Sequence, residues 1–405
     1  MHRRKLAIVT THPIQYYAPV FRALAESAEI DPRVFYTWSQ AQDPRLFDAG
    51  FGLTVAWDVP LRVGYAHQFV ENIAKHPGPD HFGGIRNPTL IEEIEAWGAE
   101  AVLVYGWNHI AHLQVLRHFK NRVPVFFRGD STLLDPGAWW RSALRRVFLT
   151  WVYRHVDVAI AVGSHNRDYF AWCGVSPQRI AIAAHSIDAR RFACDSPEHA
   201  AAAARWREEL AIPSAAIVVL FAGKLQPKKS PDLLLDAFAD VAGDAHLVFV
   251  GQGELESELR ARASGRHNVH FLPFQNQSVM PAVYRLGDLF VLPSQGPGET
   301  WGLALNEAMA SGRAVVASSM VGGARDLIGA GINGWIFTAG ARDQLASVLR
   351  RAYRGGQAAL RKMGAAGREA SAAWSSEACA RRIATIVSRH GDTRPTRLDS
   401  AEWEV

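Results

Sequence analysis

Residues 288–318 read DLFVLPSQGPGETWGLALNEAMASGRAVVAS. DLFVLPS (288–294) has the β-branched and aromatic character of a buried strand, and it ends at Pro293. A glycine-rich loop, SQGPGET, follows. Leu305, Ala308 and Met309 then recur at helical spacing, with Thr300 placed to cap the helix and Gly312 to end it. AVVAS (314–318) is a second buried strand. Strand, helix and strand in so short a span are the mark of α/β architecture.

Working outward, the same alternation fills both halves of the chain. In the first half, strands are expected at 6–10, 31–38, 101–106, 123–129 and 156–163, with helices at 17–27, 88–97, 109–119 and 138–155. In the second half, strands are expected at 216–223, 246–251, 268–272, 288–294, 314–318 and 334–337, with helices between them. Such alternation predicts parallel sheets covered on both faces. The alanine-rich stretch PEHAAAAARWREELAIP (197–213) has no strand and reads as a helix and linker. The expected organisation is therefore two doubly wound Rossmann-like domains, 1–195 and 216–372, facing a central cleft and joined by a linker at 196–215. A serine-capped helix is expected within 373–390, and a polar, loose tail at 391–405.

Composition narrows the class. The 405 residues are 48% hydrophobic and 20% charged, which suits two ordinary globular domains. No apolar run approaches the ~18 residues that a membrane-spanning helix needs. MHRRKLAIVT has no following cleavage site and reads as a first strand behind a basic end, not a secretory signal. Three scattered cysteines, Cys173, Cys194 and Cys379, suit a reducing, cytoplasmic setting. The net charge of +5 suits an anionic partner. No zinc-finger spacing or RNA-binding aromatic motif is visible, so nucleic acid ranks last.

Three loops that follow strands carry candidate chemistry, because ligands of open α/β sheets sit beyond the strands' carboxyl ends. In GKLQPKKSPDLLLDAF (223–238), Lys224, Lys228 and Lys229 converge on a helix start with Ser230 at the cap and Pro231 in the first turn. That is either a phosphate site or a solvated basic turn. VGQGELESEL (250–259) places Glu256 where a dinucleotide fingerprint needs its third glycine, so Gly251 and Gly253 are expected to shape a tight turn and nicotinamide chemistry is disfavoured. In the opening stretch, Glu299 and Glu307 would stand about 12 Å apart at ~1.5 Å rise per residue. An ionised carboxylate accepts hydrogen bonds and donates none, so sugar hydroxyls suit it. A surface glutamate and an ordinary helix glutamate would leave the same pattern.

GETWGLALNEAMASGRAVVAS (298–318) resembles the signature of the retaining glycosyltransferases of family 4, which have the GT-B fold. GKLQPKKSPDLLLDAF, LVFVGQGELESEL, VHFLPF, VYRLGDLFVLPS and VGGARDLI…NGWIF are similar to further family elements in the same order. The likeness is strong over about 216–340 and looser over 156–192. It implies a nucleotide-diphosphate sugar as donor and no other cofactor. Lys224 and Lys229 would neutralise the diphosphate, and Glu307 would hold the ribose hydroxyls. Glu299 would contact the transferred sugar, helped by the backbone of Gly298, Thr300, Trp301 and Gly302. Base recognition would use backbone near Phe274 and Gln275. The last helix would cross back onto the first domain. The resemblance further implies front-face attack with retention, and the chain has no Asp-x-Asp motif, in keeping with a metal-independent enzyme. The acceptor would be a glycan or lipid-linked sugar in surface-polysaccharide assembly.

The first domain departs from the family pattern. Its first loop is TTHPIQYYAP, with His12, Gln15, Tyr16 and Tyr17, where a Gly-Gly turn is common. FFRGDS supplies Arg128 and Asp130 where a histidine is usual. Arg128 would face phosphate or an anionic acceptor, Asp130 would take a proton from the acceptor hydroxyl, and His12 is the other catalytic candidate; a structural Arg128–Asp130 pair is the competing reading. His109 and His112 have i, i+3 spacing without a third ligand, so no metal site is expected. GAWWRSALRRVFLTWVYRH (137–155) mixes Trp and Arg and is a candidate for peripheral membrane contact. A GT-B nucleotide-sugar epimerase and a non-catalytic sugar-nucleotide-binding partner stay open as rivals.

Overall fold

A computed structural model of the chain describes residues 2–390 apart from Pro44, Ala49, Pro136, Ala138, Cys194 and Ala242. The expected tail at 391–405 and Cys194 lie outside the described residues. The described residues form two compact units: those within 2–46, 60–185 and 376–390 make the first, and those within 47–59 and 186–375 the second.

The strands of the first half are β1 (Arg4–Thr10), β2 (Ile30–Tyr36), a ribbon of β3 (Arg45–Asp48) and β4 (Leu53–Ala56), β5 (Ala66–Phe69), β6 (Ala101–Tyr105), β7 (Val125–Gly129), β8 (Val158–Ala161) and β9 (Ile180–Ile182). Those of the second half are β10 (Ile217–Ala222), β11 (Ala245–Val250), β12 (Val269–Leu272), β13 (Leu289–Leu292), β14 (Ala314–Ser318) and β15 (Gly334–Phe337). The first unit's sheet runs β5-β2-β1-β6-β7-β8-β9 and the second's β12-β11-β10-β13-β14-β15, with parallel pairing in both. Strands β6, β10, β11, β13 and β14 are buried at every position. That is why they read as continuous apolar runs: helices cover both faces, and no position alternates toward water.

In each sheet the strand order reverses once. β1 has β2 on one side and β6 on the other; β10 has β11 on one side and β13 on the other. The loops leaving the two central strands turn to opposite faces there, and a crevice opens at their carboxyl ends. Helix Ser376–Arg389 belongs to the first unit, where Cys379, Ile383 and Val387 join Phe21 and Leu24 in one core cluster, and the Arg4 guanidinium donates to the Val387 carbonyl at 2.6 Å.

The unit boundaries depart from the sequence-based ones at two places. Residues 47–59 were expected in the first domain but group with the second, as do residues 186–195. The linker is largely one helix, Pro197–Glu209. Two expected caps also differ. Helix Leu303–Ala310 starts two residues later than Thr300 would allow, with Gly302 at the cap in the left-handed region (φ 88°). Ser230 does occupy the cap of helix Pro231–Phe238, but its own φ is 48° and its hydroxyl donates back to the Pro227 carbonyl at 3.1 Å instead of capping.

Gly251 and Gly253 serve a close approach of two backbones. A Cβ on Gly251 would clash with the Gly223 carbonyl oxygen, far inside van der Waals contact, and one on Gly253 would lie 2.5 Å from the Leu225 carbonyl oxygen. Gly251 also holds φ at 134°, which other residues rarely adopt. Gly251→Ala is therefore expected to destabilise the second unit by about 2–4 kcal/mol, seen as a lower urea midpoint at unchanged slope. An unshifted midpoint would contradict this packing.

Candidate functional site

In the second unit, the reversal between β10 and β13 brings three loops together. The loop after β10 ends in a single 3-10 turn, Pro227–Lys229, and its backbone is tied to the loop after β13 by Gln295 N–H donating to the Lys228 carbonyl at 3.0 Å. The Gln295 side-chain amide adds a second tie to the Ser230 hydroxyl, also 3.0 Å. The loop after β14 closes the arrangement. Gly322 N–H donates to the Glu299 carbonyl (3.0 Å) and Gly323 N–H to the Trp301 carbonyl (2.8 Å). A Cβ on Gly322 would collide with the Thr300 carbonyl oxygen, so this approach requires glycine. Trp301 is buried, its indole N–H donates to Asn306 Oδ1 at 2.8 Å, and its ring lies 5.4 Å from that of Trp374. The stretch Gly298–Gly302 is thus a pinned loop with Trp301 as its anchor.

The predicted charges meet here. The Lys229 ammonium and the Glu299 carboxylate form an ion pair, and the Ser294 hydroxyl donates to the same carboxylate oxygen at 3.0 Å. The two side chains are 20% and 9% exposed, so the pair is shielded from water on most sides. Lys224 lies on the same loop but is paired with Asp48 (2.7 Å) and sits 4.9 Å over the Phe51 ring. Burial pushes the Asp48 carboxyl up, but the hydrogen bond and charge of Lys224 and the N–H groups of Phe51 and Gly50 outweigh it, and its pKa ends below the usual range. Phe274 packs edge-on to Phe51 at 4.7 Å, with Trp57 at 6.5 Å.

Glu307 is buried and accepts a hydrogen bond from the Tyr284 hydroxyl at 2.6 Å. The sequence-based separation of about 12 Å from Glu299 assumed helix throughout. Gly302 interrupts it, so helical rise does not apply across residues 299–302 and that ruler has no basis. A neighbouring groove of about 630 Å³ is lined by Asp232, Glu254 and Glu258 as well as Lys228. Three carboxylates make it a poor host for an anion.

Sequence reasoning missed Asp48, Phe51, Ser294 and Tyr284. Ser294 stood inside the decisive stretch, two residues past β13, and a hydroxyl there was a readable signal. Asp48 and Phe51 come from a segment assigned to the other domain, and nothing local marks Tyr284.

The first unit has its own pocket of about 210 Å³ at the β1/β6 reversal, lined by Thr10, Thr11, Tyr17, Tyr105, His109, Arg128 and Asp130 among others. Arg128 is held by carbonyls, with Nη1 donating to Ala183 (2.6 Å) and Nη2 to Ala184 (3.2 Å), and it fixes the last strand's exit as well as lining the pocket. His12 exchanges a hydrogen bond with the Thr11 hydroxyl (2.9 Å) and stands edge-on to Trp38. Burial, then the neighbouring His109, lowers its pKa to about 4, which makes it a weak base at neutral pH. Half-buried Asp130 lines the pocket. His112 is committed to the protein, with Nε2 to the Thr37 hydroxyl (2.8 Å) and Nδ1 toward the Tyr105 and Gly106 carbonyls (3.1 Å each).

Known proteins bear on both units. A family profile described as "Glycosyl transferases group 1" matches residues 203–370, less than half of the chain. Among curated relatives, a D-inositol 3-phosphate glycosyltransferase of Salinispora tropica is 35% identical over 161 residues, 36% of this chain and 33% of that protein. One from Thermomonospora curvata is 32% identical over 193 residues, 44% of each. The match thus spans about a third to under half of those relatives' length. Among solved structures, Anabaena HepE in complex with UDP and glucose covers 96% of this chain and all of its own, at TM-score 0.70 and 19% identity. Sucrose-phosphate synthase of Thermosynechococcus elongatus covers 96% of this chain and 99% of its own, at TM-score 0.68 and 18% identity. At these identities the likeness shows the fold, which is GT-B.

Removing one partner of a shielded ion pair strands the other charge. Lys229→Met is expected to cost about 3 kcal/mol, and adding Glu299→Gln to recover most of it, in urea unfolding of the four proteins of the cycle. Full additivity would mean the two do not interact.

The first unit carries an acid-sensitive set. Burial is the main cause that holds His12, His112 and His185 at about 4, against 6.5 in the open chain. Below pH 6.5 the unfolded chain binds protons that the folded chain refuses, so stability falls as pH drops from 6.5 toward 4. Each histidine contributes up to about 1.4 kcal/mol per pH unit in that window and nothing above it. A thermal midpoint flat between pH 6.5 and 5 would show these rings to be solvated.

Proposed function

We propose that the chain is a retaining, metal-independent glycosyltransferase that moves a sugar from a nucleoside-diphosphate donor to a hydroxyl of a glycan or lipid-linked sugar. The Lys229–Glu299–Ser294 cluster at the β10/β13 reversal carries this reading. It places an ammonium and a hydroxyl-accepting carboxylate side by side, which is what the junction between a diphosphate and a sugar requires. The group 1 glycosyltransferase profile over 203–370 and the relatives named as D-inositol 3-phosphate glycosyltransferases support it. HepE, crystallised with UDP and glucose, supports a nucleotide-sugar donor.

In the proposed reaction, the bond from the anomeric carbon to the diphosphate oxygen breaks and a bond from that carbon to the acceptor oxygen forms on the same face. The oxocarbenium-like sugar and the leaving diphosphate develop opposite charges. Lys224 and Lys229 meet the growing negative charge; Lys224 exchanges Asp48 for phosphate oxygen, and Lys229 shares itself between phosphate and Glu299. Glu299 accepts from the sugar's hydroxyls, its direction set by Ser294 and by the pinned backbone of Gly298, Thr300, Trp301 and Gly302. Glu307, oriented by Tyr284, accepts from the ribose, and backbone near Phe274 meets the base. The acceptor's proton leaves to the departing phosphate. In the first unit, Arg128 and Asp130 attend the acceptor; with its lowered pKa, His12 serves as a neutral hydrogen-bonding partner more readily than as a base.

A thermal-shift screen of nucleotide sugars identifies the donor, since a ligand of the native state raises its midpoint. With that donor, Glu299→Gln is expected to lower kcat at least ~100-fold with the bare nucleotide still bound, and Glu307→Ala to weaken the bare nucleotide about tenfold. Turnover is expected to survive EDTA and to preserve the anomeric configuration by NMR. Conversion of donor without acceptor would instead identify an epimerase. Donor binding with neither hydrolysis nor transfer would identify a binding protein.

A further inference from the structure

Helix Trp139–Tyr153 has two apolar faces, and only one of them is used. Leu149, Val152 and Tyr153 are buried in the first unit's core. At about 100° per residue, Trp140, Leu144, Val147 and Trp151 project to the opposite side. They are exposed: Val147 by 71%, Leu144 by 66%, Trp140 by 49% and Trp151 by 36%, with Trp139 and Phe148 flanking them at 82% and 40%. Isolated exposed apolar residues need no explanation, but a contiguous row on one helix does. The row borders an open groove of about 710 Å³ shared with Trp172.

The charge along this helix has one sign. Arg141, Arg145, Arg146 and Arg154 all lie on or next to the helix, and no acidic residue occurs between Asp135 and Asp157. The Arg141 guanidinium lies 5.0 Å from the Trp140 ring centroid and that of Arg146 5.9 Å from Trp172. Arginine beside tryptophan at the edge of an apolar strip matches an interface where acyl chains give way to anionic headgroups. A second copy of this chain is a poor occupant, because a two-fold contact would set the arginines of one helix against those of the other with no carboxylate on either helix to pair them.

We propose that this face docks on an anionic lipid bilayer, with Trp140, Leu144 and Val147 entering the headgroup boundary and the arginines holding acidic headgroups. It does not rest on the transferase reading, and its test needs neither donor nor acceptor. The purified 405-residue chain is sedimented with vesicles of phosphatidylcholine alone and with vesicles containing about a third phosphatidylglycerol. The expected result is binding to the anionic vesicles, little to the neutral ones, and release as salt rises. The double variant Leu144→Glu, Val147→Glu is expected to bind at least about tenfold more weakly with an unchanged unfolding midpoint, since both side chains are exposed in the folded chain. Arg141→Glu with Arg154→Glu is expected to abolish the preference for anionic lipid at a retained midpoint. Absence of sedimentation with anionic vesicles, equal binding by the Leu144→Glu, Val147→Glu variant, or a dimer in analytical ultracentrifugation that this variant dissociates would each overturn the proposal.

Discussion

Between β10 and β13 the backbones pair in parallel, Val219 with Leu289 and Leu220 with Phe290, although the chain passes through β11 and β12 in between. A parallel sheet puts every strand's carboxyl end on the same edge, and the change of direction at this pair leaves that edge uncovered. The loops after β10, β11, β13 and β14 must therefore converge, and they can do so only where backbones touch. Gly251, Gly253, Gly322 and Gly302 mark those touching points: three stand against a neighbouring carbonyl, and the fourth turns into its helix beneath Val321. These residues keep the loops close enough for a lysine of one and a glutamate of another to meet.

Proximity alone would not hold an ion pair there. A carboxylate as shielded as that of Glu299 loses much of its hydration, and a single ammonium seldom replaces it. Ser294 supplies a neutral donor to the same oxygen, and Gly322 fixes the backbone behind it. The Asp48–Lys224 pair is more open to solvent, so water screens it and its charges exchange partners at lower cost. The two lysines of one loop are thereby unequal: Lys229 belongs to a fixed cluster, whereas Lys224 is held by a replaceable carboxylate. An entering anion would displace Asp48 more easily than Glu299.

Much of this was legible in the sequence, because parallel strands buried on both faces leave unbroken apolar runs and loops after strands leave glycine and lysine. Lys224 and Lys229 were singled out that way, and Glu299 and Glu307 by their spacing and by the resemblance to a known signature. What was not legible depended on contacts distant in sequence. Asp48 and Phe51 lie in a ribbon that interrupts the first unit and groups with the second, and no local pattern announces such an excursion. The caps failed for a related reason. Thr300 and Ser230 are sound cap residues by propensity, but Gly322 and Gly323 hold the backbone at Thr300 and Trp301, and Ser230 is turned toward Pro227 and Gln295. Tertiary contact overrode propensity at both.

One topological device thus appears twice with different chemistry. At the β1/β6 reversal the loops bring buried tyrosines and histidines held neutral by desolvation, with Arg128 bound to carbonyls. At the β10/β13 reversal they bring lysines and carboxylates. The first crevice sets neutral rings beside the Arg128 guanidinium and Asp130, and the second is built on one fixed and one replaceable ion pair, so the two offer different chemistry to a ligand. The sheets are alike, so the fold does not choose the ligand. The choice lies in a few loop residues, and in how far each reversal lets water reach them.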